Sequence, residues 1–471
     1  MIRLIIEKEL RDIIGTTKFA VTFAVGSLLI LFGFYVGAKD YQGAVAQYEA
    51  AKTEDLRQMD GLTDWLSLRN HRIFLPPQPL ASLVSGVSND IGSTTEVQGR
   101  GELSATDSRY GDNPVFAMFR FLDLDFIFQI VLSLFAILFA YDAVNGEKER
   151  GTLRLTFANA LPRGTYILGK MSGSYLALAV PLLIPILLGC ALLPVMGVSL
   201  HADEWLRLAV IVLAGLLYLG VFVSLSVLLS ALTQRSSTSF LMLLVIWIFV
   251  VLIIPRVSVL VAGRAVDVPS IDEIAYKTSR LNAQLWSEDR KKMSGFKPST
   301  TVSMDSMLSE FNKFMQGLAD ERDKKMRELT AQLNQDRSNR ERQQEALAFG
   351  LARTSPAGSF SLAASALAGT SIDLKDRYHE AAMNYQQAYA KFMFAKTGMN
   401  VGGRMIMIRS RQDGGEPPKP IDPRELPTFE FPELTLATAI GKSIVDLGTL
   451  FLGSVLLFAG AFAAFLRYDV R

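Results

Sequence analysis

The stretch Asp142-Ala-Val-Asn-Gly-Glu-Lys-Glu-Arg-Gly-Thr-Leu-Arg-Leu155, continued by Leu161-Pro162-Arg163 and Gly169-Lys170, is short, polar and basic, and it lies between two strongly apolar runs. A polar segment held between two membrane-crossing helices is a place where a chain can be gripped from one side of a bilayer. The rest of the sequence reads as what such a grip would move.

Outward from this stretch the apolar runs multiply. The chain has 471 residues, half of them hydrophobic, with a formal net charge of +2. That hydrophobic share favours the membrane class, and the near-neutral balance points to no nucleic-acid partner. Cys190 is the single cysteine, which excludes an internal disulfide and a metal site of several thiolates. The spacing predicts a mainly α polytopic membrane protein with six transmembrane helices, an N-terminal interfacial helix and two extracytoplasmic insertions, the second a long helical hairpin.

Residues 1–18 place Ile2, Ile6, Leu10, Ile13 and Thr17 on one helical face, which suits an interfacial helix and equally a polar continuation of the first span. Residues 19–38 carry no charge over about 20 positions, enough to cross a hydrocarbon core, and read as a retained signal anchor. Residues 39–125 form a first outer domain, with helix from Gln42 to Ser67, short strands or loops after it, a turn at Asp112-Asn113-Pro114 and an amphipathic approach from Phe116 to Leu124. The second span covers 126–141 and the focal loop 142–170. The third covers 171–199, where Pro181, Pro185 and Pro194 read as kinks before they read as a gate. The fourth and fifth cover 208–232 and 239–255, and the sixth 443–466. Residues 257–436 form the second outer domain, closed by a linker through Pro417-Pro418-Lys419-Pro420. There Met304, Met307, Phe311, Phe314 and Leu318 repeat in steps of three and four, as do Tyr378, Ala382, Tyr385, Tyr389 and Phe392. Two long helices packed on each other would explain both stripes; a surface for a partner or an amphipathic substrate is the sharper alternative. Ala357 to Ser371, nearly uncharged, reads as a cap between them that touches the membrane.

Lysine and arginine in short loops set orientation. Arg3, Lys8, Arg11 and Lys18, then Lys148, Arg150, Arg154, Arg163 and Lys170, then Arg235, and finally Arg467 and Arg471 all fall on one side of a six-span chain. That side is expected to be cytoplasmic, with both termini there and both large insertions outside.

Candidates for chemistry are few. Gly164-Thr-Tyr-Ile-Leu-Gly169-Lys170 has the spacing of a phosphate-binding loop, but Met171 stands where a magnesium-binding hydroxyl belongs and no strand precedes it. His71, His201 and His379 lack metal-site spacing and read as surface residues. No Gly-x-Ser-x-Gly elbow occurs, so an enzyme is not expected. Asp446 lies within the sixth span and marks a polar span site, read first as an interfacial or Lys442-paired carboxylate and alternatively as a substrate contact. In the focal loop Glu147, Lys148, Glu149 and Arg150 offer both signs within one turn. That suits a cleft on a protein partner, and equally a solvated loop.

Gly146-Glu147-Lys148-Glu149-Arg150-Gly151-Thr152-Leu153, followed by Leu161-Pro162-Arg163 and Gly169-Lys170, resembles the signature of ABC transporter permeases of the type-two exporter class. Ala140-Tyr141-Asp142, Thr354-Ser355-Pro356-Ala357, Ala368-Gly369-Thr370 and the ending Phe465-Leu466-Arg467-Tyr468-Asp469 are similar to bacterial members with a large extracytoplasmic domain before the last span. The resemblance implies an inner-membrane permease subunit, without an ATPase motif or cofactor of its own. It would pair with a second permease, identical or similar, and with two ABC ATPase subunits that carry ATP and magnesium. Glu147 to Leu153 would be the ATPase-coupling helix, and residues 1–18 the interfacial helix. Export across the bilayer, or extraction from its lipid, would be the output. The outer insertions are larger than in the simplest members, so the alternative output is force transmitted to an envelope partner without substrate passage.

Overall fold

The structure, a computed structural model, describes residues 2–68, 71–88, 91–97, 103, 105–106, 123–158, 161–296, 304–397 and 420–467. The expected turn at Asp112–Pro114, most of the approach after Phe116, all but the last residue of the Pro417–Pro420 linker and the tail beyond Arg467 lie outside them. The chain divides into two compact units, Met1–Val257 with Leu351–Arg471, and Ser258–Gly350.

Among the described residues six helices are long and apolar enough to cross a membrane: Thr17–Arg57, Leu124–Glu149, Arg163–Val195, Ala202–Leu232, Ser236–Ala265 and Leu436–Leu466. They correspond to the six expected runs, most of them longer. Helix α1 (Ile2–Ile14) is separate from α2 (Thr17–Arg57), because Thr16 is extended and its hydroxyl accepts from Phe19 N at 3.2 Å, a helix N-cap. This removes the reading of residues 1–18 as a mere continuation of the first span. Helix α2 is about 60 Å long at 1.5 Å per residue, twice the hydrocarbon thickness. Its polar half, from Lys39 onward, continues unbroken as a scaffold for the region that follows.

Against that scaffold packs a three-stranded antiparallel sheet of β1 (His71–Phe74), β2 (Thr94–Val97) and β3 (Ala105–Thr106), with His71 opposite Val97 and Thr94 opposite Thr106. Alternation turns Ile73 and Val97 inward, where they meet Met59, Tyr385, Tyr389, Met393 and Leu426.

The second span holds α3 (Ser133–Ala140) and then, after a turn, α4 (Asn145–Glu149); α5 (Thr152–Ala158) follows. A π-helical turn, Ile127–Leu132, precedes α3, and there the Gln129 carbonyl accepts from Ser133 Oγ and from Tyr218 OH at 2.9 Å. The third and fourth spans are α6 (Arg163–Val195) and α7 (Ala202–Leu232). The fifth comprises α8 (Ser236–Trp247), a second π-turn, Ile248–Ile253, and α9 (Ile254–Ala265).

In the unit Ser258–Gly350, α10 (Ile271–Ser294) and α11 (Met304–Ala352) form the helical hairpin. Asp289 pairs with Arg322 at 3.0 Å, Lys292 with Glu321 at 3.1 Å, and Phe296 stacks near Phe314 at 4.9 Å, an antiparallel register. Phe311, Phe314 and Leu318 lie in α11; the side chains of Met304 and Met307 lie outside the description. The tyrosine stripe is not their partner. Tyr378, Tyr385 and Tyr389 sit in α13 (Asp373–Thr397), in the other unit, where Tyr385 and Tyr389 pack on the sheet and Tyr378 OH donates to Ile73 O at 3.0 Å. Two stripes of the same period each found a different complement.

The expected cap is also different. Helix α12 (Pro356–Ala368) starts on the Ser355 N-cap with Pro356 at its first position and ends on Gly369, whose φ of 76° is left-handed. Every residue from Ala357 to Ala368 is buried. Alanine, serine and glycine permit this, since small side chains let neighbouring spans approach closely. Phe360 stacks on Tyr218 at 5.2 Å and packs against Phe128; Ser361 Oγ donates to Asp125 at 2.7 Å, and Ser355 Oγ to Val250 O at 2.5 Å. Arg207 Nη1 donates to Leu367 O at 3.3 Å, placing a cation at the helix C-terminus. The segment is thus a fold-back helix inside the span bundle, with its polar groups satisfied there.

The sixth span, α14 (Leu436–Leu466), buries Asp446. Its partner is Arg353, at 2.6 Å, whereas Lys442 pairs with Asp373. The Lys442 pairing expected from proximity is therefore corrected: four residues along a helix put both on one face, but Lys442 is taken by Asp373 and the guanidinium just before α12 reaches Asp446.

Arg353→Met should leave a buried carboxylate without its cation and cost about 3–5 kcal/mol, while adding Asp446→Leu should restore most of it. Urea or thermal unfolding in detergent measures both; equal losses in the single and double variants would contradict the pairing.

Candidate functional site

The focal segment is built by helix-end chemistry. Val144 N and Asn145 N both donate to Ser230 Oγ, at 3.0 and 3.1 Å, which takes up free amides at the start of α4. Asn145 Nδ2 reaches Thr233 Oγ1 at 3.0 Å and Arg235 O at 3.3 Å. Lys148 Nζ donates to Ala231 O at 2.7 Å and Thr233 O at 3.1 Å, covering the last carbonyls of α7. Glu149 accepts from Ser236 N at 2.8 Å and Ser236 Oγ at 2.9 Å, so a carboxylate sits at the first turn of α8. One side of α4 is thereby fastened to the turn between the fourth and fifth spans.

The opposite side is fastened by Glu147, which is buried. Its carboxylate meets Lys170 Nζ at 2.9 Å and Lys8 Nζ at 3.2 Å and accepts from Tyr166 OH at 2.6 Å. Lys170 also meets Glu9 at 2.6 Å, and Ser174 Oγ donates to Glu9 at 3.3 Å. Two carboxylates and a buried ammonium thus join α1, α4 and α6. Burial pushes the Glu9 carboxyl above its ordinary value, against the pull of Lys170.

The approach of α1 to α6 needs glycine. A Cβ at Gly169 would come within 2.7 Å of Ile5, and one at Gly173 within 2.6 Å of Glu9 Cβ, contacts one helical turn apart on both helices. This also answers the phosphate-loop spacing. Gly164 to Lys170 is helical, Gly169 is a packing glycine, and Lys170 is consumed by two carboxylates.

Helix α4 stops at Gly151, with φ of 70°, and α5 turns Leu153 inward. Phe157 packs on Tyr166 at 5.3 Å and Phe465 at 6.0 Å, and Arg163 Nη1 donates to Leu466 O at 3.1 Å, at the end of the sixth span. Lys18 Nζ donates to Tyr141 OH at 3.2 Å, bringing in the first. All six spans therefore meet at the end that carries the short basic segments. Of the residues singled out in the sequence, Glu147 and Leu153 face inward and Lys148 and Glu149 bind the adjacent turn. Arg150, Gly151 and Thr152 face outward, with Arg154 and Leu155, the latter 69% exposed.

Glu9 and Tyr166 were not singled out from sequence, and Lys8 only as one of the cations that set orientation. Glu9 carried a signal, since it stands with Ile2, Ile6 and Ile13 on the apolar stripe of α1, where a charge needs a partner. Asp446 lies apart from this cluster in its pair with Arg353. Of the histidines, His201 and His379 are exposed as expected, but His71 is buried between Asp55 and Tyr385. Among the described residues no group of three or more His, Cys, Asp or Glu is arranged to hold a metal ion.

Six apolar helices of membrane-crossing length, joined at one end by a charged helix that presents a basic and apolar face, define a multi-pass membrane protein. The chain belongs to the ABC-2 family of transporter proteins, whose family model matches residues 3–320. It is similar to the probable ABC transporter permease protein NosY of Stutzerimonas stutzeri, with 35% identity over 127 residues, 26% of this chain and 45% of that protein. The NosY protein of Pseudomonas aeruginosa matches at 35% identity over 126 residues, with the same shares. The chain thus spans about half the length of the curated relatives it matches.

Lys170→Met should be the most damaging single change in the cluster, because Glu9 and Glu147 would face each other without the buried cation, at about 3–5 kcal/mol. Glu147→Gln, which keeps an acceptor for Tyr166, should cost clearly less. Unfolding of the purified protein in detergent ranks the two, and the reverse order would contradict the assigned geometry.

Proposed function

We propose that the chain is the transmembrane permease subunit of an ATP-driven exporter, with α4 and α5 as the coupling helix that receives motion from separate ATPase subunits. The observation that carries this reading is the clamping of α4 to both neighbours, with Arg150, Arg154 and Leu155 left outward. A push on that face reaches every span through hydrogen bonds and ion pairs. ATP and magnesium belong to the ATPase chains. The end bearing Lys8, Arg150, Arg163 and Arg235 is the cytoplasmic one by the positive-inside rule, which puts both termini in the cytoplasm of a bacterial inner-membrane protein. Pairing with a second permease, identical or similar, completes the assembly, and substrate leaves across or out of the bilayer between the two.

Force transmission to an envelope partner is the second reading. What favours it is α2, which runs without a break from the first span to Arg57 and carries the outer sheet. A helix interrupted at the membrane surface would dissipate such motion.

Reversing the outward charges in Arg150→Glu/Arg154→Glu should abolish co-purification of the ATPase and lower coupled ATP turnover at least about tenfold, while leaving the melting temperature of the permease unchanged. Assembly and turnover at the unaltered level would sink the coupling assignment. With coupling intact, Ala44→Pro in α2 should stop an envelope response if force is the output and spare substrate efflux if export is.

A further inference from the structure

Beyond the outer end of the first span, a cavity of about 320 Å³ opens between α2, β1 and the stretch that follows Pro423. Its position follows from the helix period. Tyr48, Lys52, Asp55 and Leu56 line one face of the polar half of α2, and the edge of the sheet closes the other side. The apolar lining includes Leu56, Ile73, Phe74, Leu426 and Phe429, a wall able to hold a ring or a short hydrocarbon body. The volume lies within the range of small-molecule sites, about 300–1,000 Å³.

The charges of the lining are unequal. Lys52, Arg72 and Arg424 are cations, and none closes an ion pair with a carboxylate among the described residues. Arg72 faces Glu96 across the strand pair without reaching it within ion-pair distance. Nearby acids are engaged elsewhere: Glu425 holds Lys396 at 2.5 Å, and Glu54 lies beside Arg57 at 3.8 Å.

The one acid in the wall, Asp55, is consumed internally. His71 Nδ1–H donates to Asp55 Oδ2 at 3.0 Å and Arg72 N donates to Oδ1 at 3.1 Å. His71 Nε2 lies 2.6 Å from Tyr385 OH, and the Tyr389 ring stacks on the imidazole at 5.5 Å. Burial raises the Tyr385 phenol above its ordinary range, so it remains a donor. Both carboxylate oxygens of Asp55 therefore serve protein donors.

We propose that this cavity is a binding site for a small organic anion with an apolar body, an aryl carboxylate or sulfonate in size and chemistry. The apolar lining takes the body and Lys52, Arg72 and Arg424 take the charged head, arginine offering paired N–H donors to a planar carboxylate. The site does not depend on the ATP-coupling assignment, because every residue in it lies beyond the opposite end of the first span.

The test uses the full chain in nanodiscs of zwitterionic lipid, with empty nanodiscs subtracted, and compares 1-naphthoate with its neutral analogue 1-naphthalenemethanol. Saturable binding of one naphthoate per chain is expected, weakened about tenfold or more in Arg72→Gln/Arg424→Gln, with naphthalenemethanol unaffected by that change. Leu56→Trp, which fills the cavity, should remove both ligands. Unchanged melting temperature verifies folding of each variant, and Lys52→Gln, on exposed helix surface, supplies an independent charge removal. Absence of saturable naphthoate binding to the unaltered protein, or binding indifferent to both the double charge variant and Leu56→Trp, would overturn the proposal.

Discussion

The constraint on which the rest depends is the burial of Glu147 against Lys170, Lys8 and Tyr166. A carboxylate removed from water is unfavourable by several kcal/mol unless cations and donors surround it closely. Here they come from α1 and from the first turns of α6, and Lys170 in turn holds Glu9. Lys170 in particular cannot withdraw without leaving both Glu9 and Glu147 without their buried cation. The short helix α4 therefore has one seat, although it has only five residues and little helical stability of its own. From that seat Asn145, Lys148 and Glu149 complete the ends of the fourth and fifth spans. A segment that composition presents as a polar gap becomes the joint of the bundle.

A comparable logic governs the other end. Helix α12 is too short to cross a bilayer and too uniformly buried to lie on a surface, so its amides, hydroxyls and C-terminal carbonyls must be satisfied within the bundle. Ser355, Ser361 and Arg207 do so, and the Arg353–Asp446 pair anchors its entrance. The two π-turns lie where this helix inserts. They release carbonyls of Gln129 and Val250 that side chains then use. The bundle is thus held at both ends by polar contacts and between them by small side chains and stacked aromatic rings.

Much of this was legible in the sequence. Six charge-poor runs of membrane length marked the spans, and Lys8, Lys18, Lys148, Arg163 and Lys170 of the short basic segments gather at one end of them. The turn of alternating charge at Glu147–Arg150 is the segment that the fold fastens to its neighbours on both sides. What was hidden required partners distant in the chain. His71 looked like a surface residue because Tyr385 is 314 positions away. Asp446 was matched with Lys442, its neighbour in sequence, because nothing local indicated Arg353. The Phe and Tyr stripes shared a period, and periodicity reports a buried face without naming what covers it. The stretch after Pro356 misled for a similar reason, since alanine and serine suit an exposed cap as readily as a close-packed helix. The sequence offered Glu147 together with Lys148, Glu149 and Arg150 as one turn of mixed charge, and only the fold separates the buried Glu147 from the exposed Arg150.

The central claim, that Glu147 fixes α4 and α5 to α1, is tested most directly by the spread of a single distance. Spin labels at Arg11→Cys and Arg154→Cys, in a Cys190→Ser background in nanodiscs, report it by double electron–electron resonance. A narrow distribution that broadens markedly on adding Glu147→Ala is the predicted result. A distribution already broad with Glu147 present, or equally narrow without it, would contradict the account.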